Sequence, residues 1–220
     1  MPQLTKDGAI WTITLDDGEN RFTQEFLDRM QEHLTEIAES SEPAVLVTTG
    51  TGKFFSNGLD LDWLGANPDR LGEYVDRIHG LFAQVLALPV PTVAAINGHA
   101  FAGGGMLALA HDFRVMRSDR GYFCLPEVDI HIPFTDGMSE LITGKLTPQA
   151  AVDAMTTGRR FGGEDALAAG IVDATADEAG LITAARAKVA HLAGKDRPTL
   201  GAIKQRMYVR ALAALAPQSA

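Results

Sequence analysis

Two short unbroken apolar runs, Ala44-Val45-Leu46-Val47-Thr48-Thr49 and Thr92-Val93-Ala94-Ala95-Ile96, each pass into a glycine-rich loop. A strand that alternates apolar and polar residues can leave one face to water, whereas a strand without a polar face must be covered on both. Such strands belong in a parallel sheet, and the segments between them must supply the covering helices. Behind Thr23, a suitable N-cap, Phe26, Leu27, Met30, Leu34, Ile37 and Ala38 fall at helical spacing as far as residue 39. A second helical stripe, over 69–88, runs through Leu71, Val75, Ile78, Leu81, Phe82 and Val85. Residues 10–15 alternate as a strand and stop at Asp16-Asp17-Gly18. The pattern predicts an α/β fold.

The second half changes character. Residues 113–116 and 122–124 are expected as short strands, and helices dominate after them. Thr147-Pro148 places an N-cap before a proline at the first helical position, opening a helix to about residue 157. Further helices are expected over 163–170, 178–193 and 199–215. With 220 residues and roughly 150 per domain, the expected division is a core over 1–195 and a short C-terminal helical segment over 196–220. No fixed-period repeat or linker interrupts it.

Charge and cysteine content narrow the function classes. Nineteen basic against 28 acidic residues leave a net charge of −9, which repels nucleic acid and anionic membrane. A local basic patch could still hold a phosphorylated small molecule. The single cysteine, Cys124, excludes an internal disulfide framework and a cysteine-based structural zinc site. The first eight residues, MPQLTKDG, lack an apolar signal region, and no window holds 18 consecutive apolar residues. The expectation is a cytoplasmic protein with no metal, no nucleic-acid partner and no membrane partner.

Neither glycine loop is a nucleotide motif. The first, Gly50-Thr51-Gly52-Lys53-Phe54-Phe55-Ser56-Asn57-Gly58-Leu59-Asp60-Leu61, has Val47 and Phe54 where a phosphate-binding loop needs a glycine and a hydroxyl residue. The second, Asn97-Gly98-His99-Ala100-Phe101-Ala102-Gly103-Gly104-Gly105-Met106, lacks G-x-G-x-x-G spacing. Three glycines before Met-Leu-Ala-Leu-Ala suit a helix start whose free N–H groups face an anion or a developing oxyanion. They equally suit close packing of helix on strand.

Taken in order, Phe55-Ser56-Asn57-Gly58-Leu59-Asp60-Leu61, Pro91 to Gly98, the glycine triplet, Ala110-His111-Asp112-Phe113-Arg114-Val115 and Phe123-Cys124-Leu125-Pro126-Glu127 resemble the enoyl-CoA hydratase/isomerase (crotonase) superfamily. Gly158-Arg159-Arg160-Phe161 and the stretch from Ala166 to Asp173 extend the resemblance over about residues 5–210. It implies a crotonase-like ββα spiral acting on acyl-CoA thioesters. The thioester oxygen would sit between the backbone N–H groups of Leu59 and Gly104, with Phe55, Asn57, Gly58, Gly103 and Leu107 around the substrate. Coenzyme A arrives as part of the substrate, so no separate cofactor is implied.

Hydratases of this family position water with two glutamates, one at the position of Leu107 and one at that of Glu127. Leu107 cannot orient water. The remaining carboxyl, Glu127, suffices for a 1,3-proton shift, as in 3,2-enoyl-CoA isomerases, and the stretch from Pro126 to Phe134 resembles the plant peroxisomal isomerases. Leu125, Val128 and Ile130 are candidates for burying that base. If the segment is extended, Asp129 and His131 share its face and lie on its solvated side. His99 is expected in packing, His111 at a helix end with a partial positive charge, Asp60 as a turn cap, and Cys124 in the core. Lys53, Arg159, Arg160, Lys204 and Arg206 are the cations available for CoA phosphates, none of them assigned.

Three readings follow from the resemblance. The first is an isomerase converting 3-enoyl-CoA to 2-trans-enoyl-CoA. The second is another crotonase reaction, such as hydration or thioester hydrolysis. The third is a non-catalytic acyl-CoA-binding protein. The resemblance also implies a homotrimer or homohexamer. Many relatives continue into further C-terminal helices, so the acyl pocket here is expected to be more open, or closed by a neighbouring subunit.

Overall fold

The computed structural model describes residues 1–217. Strands β1 (Gln3–Asp7) and β2 (Ile10–Leu15) form an antiparallel hairpin turned at Gly8. Helix α1 (Gln24–Glu39) follows, with the Thr23 side chain accepting from Phe26 N–H. The chain then passes through β3 (Val45–Gly50), β4 (Phe54–Ser56), α2 (Leu61–Ala66) and α3 (Leu71–Ala87). Next come β5 (Thr92–Ile96), β6 (His99–Phe101) and α4 (Gly103–Ala110). Strands β7 (Phe113–Arg117) and β8 (Phe123–Cys124) lead to α5 (Asp136–Lys145) and α6 (Pro148–Thr157). The chain closes with α7 (Gly163–Ala168), β9 (Ala174–Ala176), α8 (Leu181–Val189), α9 (Arg197–Met207) and α10 (Val209–Ala214).

Two sheets result. The larger runs β1-β2-β3-β5-β7-β9 and is parallel beyond the first hairpin, with Leu46 opposite Thr92 and Ala94 opposite Arg114. The smaller is the parallel set β4-β6-β8. Each winding gives one strand to each sheet and then a helix: β3, β4, α2–α3; β5, β6, α4; β7, β8, α5. This is a ββα spiral. Every residue of α4 is buried, which explains why Met106 to Ala110 carry no polar stripe: the helix has no outer face.

Several elements lay outside the sequence reading. The loop expected over 50–61 contains β4, while β1, β6, α2 and α5 went unread because they are short or lack alternation. The helix expected over 199–215 is broken at Tyr208 into α9 and α10. The one expected over 178–193 contracts to α8 and a 3-10 turn, Ala190–Leu192. The final three residues of the 196–220 segment lie outside the described residues.

The buried C-terminal end of α4 corrects two expectations. His111 is not a cation at a helix end. Its Nδ1 lies 2.8 Å from the Leu107 carbonyl and its Nε2 2.8 Å from Thr48 Oγ1. A carbonyl only accepts, so Nδ1 carries the proton and Thr48 donates to Nε2. Burial pushes His111 down to about 4, which keeps the ring neutral. Lys204, a candidate for CoA phosphate, is instead buried and donates to the Val90 carbonyl at 2.8 Å and Asp112 Oδ2 at 2.7 Å. Arg114 donates to the carbonyls of Ile171 and His111, and Lys145 to that of His111. Two cations, Arg114 and Lys145, thus satisfy the His111 carbonyl at the end of α4.

Lys204→Met removes the ammonium and leaves the partly buried Asp112 carboxylate short of a partner. A loss of about 2–4 kcal/mol in unfolding free energy is expected, measured by urea denaturation at neutral pH, against less than ~1 kcal/mol for exposed Lys53→Met.

Candidate active site

The site is organised where the two glycine loops meet. A Cβ at Gly104 would collide with the Ser56 carbonyl, and one at Gly58 would lie 2.7 Å from Gly103 N. Only glycine lets these backbones approach so closely, and Gly58 also holds a left-handed φ of +76°. Ser56 is buried and ties the crossing further, donating to the Asn20 carbonyl and accepting from Gly58 N–H. Neither Leu59 N–H nor Gly104 N–H finds an acceptor among the described residues. For Gly104 the reason is its place in the first turn of α4, where no intrahelical partner exists. Ala102, the residue before α4, sits at φ +48°, a strained conformation for a side-chain-bearing residue.

Loop 57–62 is clasped from both ends. Asp60 N–H donates to Tyr74 Oη at 2.8 Å, and that hydroxyl donates onward to the Phe22 carbonyl at 2.7 Å. Asn57 N–H donates to the Glu19 carbonyl, and the Glu19 carboxylate accepts from Arg21 and from the Asn57 amide. Hydrogen bonds from Arg21 hold the Glu19 carboxyl below the usual range. Asp60 caps α2 by accepting from Trp63 N–H, as expected. Tyr74 was missed because its spacing with Ile78 and Leu81 marks only a buried helix face. Its hydroxyl was the one signal of a polar task.

A cavity of about 550 Å³ opens beside this loop, walled by apolar side chains such as Leu64, Leu71, Val75, Met106 and Met138. Glu127, Leu59 and Asn57 line it. Glu127 is 6% exposed, and its Oε2 is buried without a hydrogen-bond partner among the described residues. Burial pushes this carboxyl up to about 7.

The remaining site residues fall elsewhere. Phe55 is fully buried and joins the main core, because its side chain on β4 turns inward rather than toward the cavity. Leu107 is likewise fully buried on α4. Gly58 and Gly103 contribute the backbone crossing rather than cavity wall.

The segment after Glu127 is not extended. Asp129 and Ile130 N–H groups both donate to the Pro126 carbonyl, and His131 takes φ +58°. Asp129 and His131 are exposed and absent from the cavity wall. Val128 is 47% exposed, so it does not bury Glu127; Leu125 is fully buried, and Ile130 lines the cavity. His99 packs against Phe54, Phe101 and Tyr122, and buried Cys124 donates to the Gly158 carbonyl. Arg159 pairs with Asp165.

Comparison with known proteins bears on these features together. A sequence model of the enoyl-CoA hydratase/isomerase family matches residues 5–220. The chain belongs to the enoyl-CoA hydratase/isomerase family. Among curated family members, the peroxisomal enoyl-CoA delta isomerase 2 of Arabidopsis thaliana is 39% identical over 196 residues, covering 84% of this chain and 81% of the relative. The carnitinyl-CoA dehydratase of Escherichia coli K12 is 36% identical over 211 residues, covering 92% and 78%. The crystal structure of a probable enoyl-CoA hydratase from Mycobacterium tuberculosis H37Rv superposes with a TM-score of 0.90 at 28% identity, covering 97% of this chain and 91% of that one. The crotonase fold is therefore shared, while the reactions named among these family members differ. No helix among the described residues is long and apolar enough to cross a membrane.

Tyr74→Phe removes both hydrogen bonds of the Tyr74 hydroxyl and leaves the Asp60 amide without its acceptor. It is expected to speed hydrogen–deuterium exchange at that amide and to cost about 1–3 kcal/mol of stability. Unchanged exchange there would show that the loop is held by other contacts.

Proposed function

We propose that the protein is an acyl-CoA double-bond isomerase converting 3-enoyl-CoA to 2-trans-enoyl-CoA with Glu127 as its single base. The observation that carries this reading is the unpartnered, buried carboxyl of Glu127 in an apolar cavity. The delta-isomerase names of the Arabidopsis relatives support it.

Glu127 takes a proton from C2 of the bound thioester. The electron pair spreads over C2, C4 and the thioester oxygen, and the N–H groups of Leu59 and Gly104 stabilise charge on that oxygen. The protonated Glu127 then returns the proton to C4, and the double bond comes to rest between C2 and C3. The proton is conserved, so no water or co-reactant is consumed. A fixed N–H donor of this kind is typically worth roughly 10²–10³ in rate. A base near 7 is matched to taking a proton and giving it back at neutral pH. Leu107 offers no second carboxyl to position water, which disfavours hydration. Of the other polar groups on the wall, Arg21, Asp62 and Asn57 are tied to one another or to Glu19.

The proposal extends to assembly and location. A homotrimer or homohexamer with a neighbouring subunit beside the acyl pocket is tested by light scattering with activity on the same sample; a fully active monomer would overturn it. Cytoplasmic residence is also part of the proposal. The peroxisomal name belongs to the Arabidopsis relatives, and fractionation of the native cell decides for this chain.

With 3-hexenoyl-CoA, the purified protein is expected to develop the absorbance of the conjugated 2-enoyl thioester. Glu127→Gln is expected to lower the rate by at least about 10³, and a folded variant of near-normal activity would overturn the assignment. Because the deprotonated carboxyl is the base, kcat/KM is expected to fall as pH drops below about 7. Stability runs the opposite way. The native value lies above the ordinary 4.5, so between these values the native chain keeps a proton the unfolded chain has lost. Stability contributed by the neutral carboxyl is complete below about 4.5 and is lost as pH rises through about 7. Relative to Glu127→Gln, wild type is expected to lose roughly 2–3 kcal/mol across that window, measured by urea denaturation.

A further inference from the structure

The wall opposite the glycine loops carries a polar device that the proton shift does not use. Thr135 lines the cavity and caps α5, its Oγ1 accepting from Met138 N–H at 3.2 Å. On the far side of the same oxygen, His79 of α3 places Nε2 at 2.9 Å. His79 is 4% exposed, and its Nδ1 is buried without a partner.

The protonation pattern follows from that orphan. Burial holds His79 below its usual value, so the ring is neutral and one nitrogen carries a proton. A proton on Nδ1 would bury a donor with no acceptor, a rarer and costlier defect than an unpaired acceptor. The proton therefore sits on Nε2 and is donated to Thr135. With Met138 N–H and His79 Nε2–H occupying both lone pairs of Oγ1, the hydroxyl proton is its remaining capacity. No carbonyl or carboxylate among the described residues accepts it, and Thr135 is one of the residues lining the cavity.

Resting on the acyl-CoA reading, we propose that Thr135, oriented by His79, is a hydrogen-bonding subsite for a neutral oxygen substituent, a hydroxyl or keto group, on the acyl chain. One neutral donor does not offset the burial of a charged group, so a carboxylate on the chain is not accommodated there. The surrounding wall, including Leu71, Val75 and Met138, takes the methylene groups on either side. The cavity then distinguishes an oxygenated acyl chain from a plain one, a distinction separate from the chemistry at C2 and C4.

Titration calorimetry on the full chain tests this with saturated thioesters, which undergo no isomerisation. Octanoyl-CoA is compared with hydroxyoctanoyl-CoA isomers bearing the hydroxyl at successive carbons from C4 to C8. One position, or two adjacent ones, is expected to bind roughly 3- to 10-fold more tightly than octanoyl-CoA, the value of one net hydrogen bond. Thr135→Val is expected to abolish that gain, and Thr135→Ser, which keeps both hydroxyl and cap, to retain it. Should Thr135→Val lose its fold with its cap, His79→Phe carries the test, and the gain is expected to fall at least twofold as the hydroxyl loses its orientation. Octanoyl-CoA binding with no gain at any position, or a gain untouched by Thr135→Val or His79→Phe, overturns the subsite. Failure to bind any of these thioesters overturns the acyl-CoA reading itself.

Discussion

Everything in this molecule that bears on chemistry depends on one backbone crossing, where Gly104 passes the Ser56 carbonyl with no room for a side chain. That contact joins the end of β4 to the start of α4. Leu59 and Gly104, whose N–H groups find no acceptor among the described residues, stand on the two segments that meet there. Neither loop could hold such a pair alone. A helix start supplies free N–H groups by its geometry, whereas a loop supplies one only if it is clasped. Tyr74, Glu19 and Arg21 provide that clasp.

Much of the crossing was legible in the sequence. Gly58 and the Gly103-Gly104-Gly105 triplet stand in the glycine-rich loops that follow two unbroken apolar runs, the mark of strands covered on both faces. Resemblance then supplied roles that glycine spacing alone left open between an anion site and close packing. Close packing is what the structure shows, since Gly104 lies against Ser56, and its N–H finds no acceptor among the described residues. What the sequence did not disclose was the cavity wall. Leu71 and Val75 reach it from α3, whose spacing shows only that one face is buried, and Thr135 and Met138 from α5 and its cap, which left no readable pattern. Phe55 and Leu107, which stand within the motifs, turn into the core.

The spiral itself illustrates a second limit. Its three windings each place a strand in both sheets before a helix, yet they leave no periodic trace. The winding that starts at β3 carries two helices, while the one starting at β5 carries only the eight residues of α4. The strands of the smaller sheet are no longer than three residues, β8 only two. Alternation has no length over which to appear, so their parallel pairing is a tertiary outcome rather than a local one. Strands β3 and β5 of the larger sheet were legible because burial on both faces writes itself into every residue.

The cavity places a cost on the fold that its chemistry explains. A carboxyl with one oxygen unpartnered in an apolar wall destabilises the native state when ionised, and Glu127 is held near 7 for that reason. A second carboxylate nearby would relieve nothing. Leu107 keeps the adjoining core apolar, which suits one group that takes a proton and returns it. The most direct measurement is therefore the fate of that proton. A 3-enoyl-CoA deuterated at C2, turned over in ordinary water, is expected to yield product with measurable deuterium at C4, read by NMR. A C4 position filled entirely from solvent would contradict the single-base account.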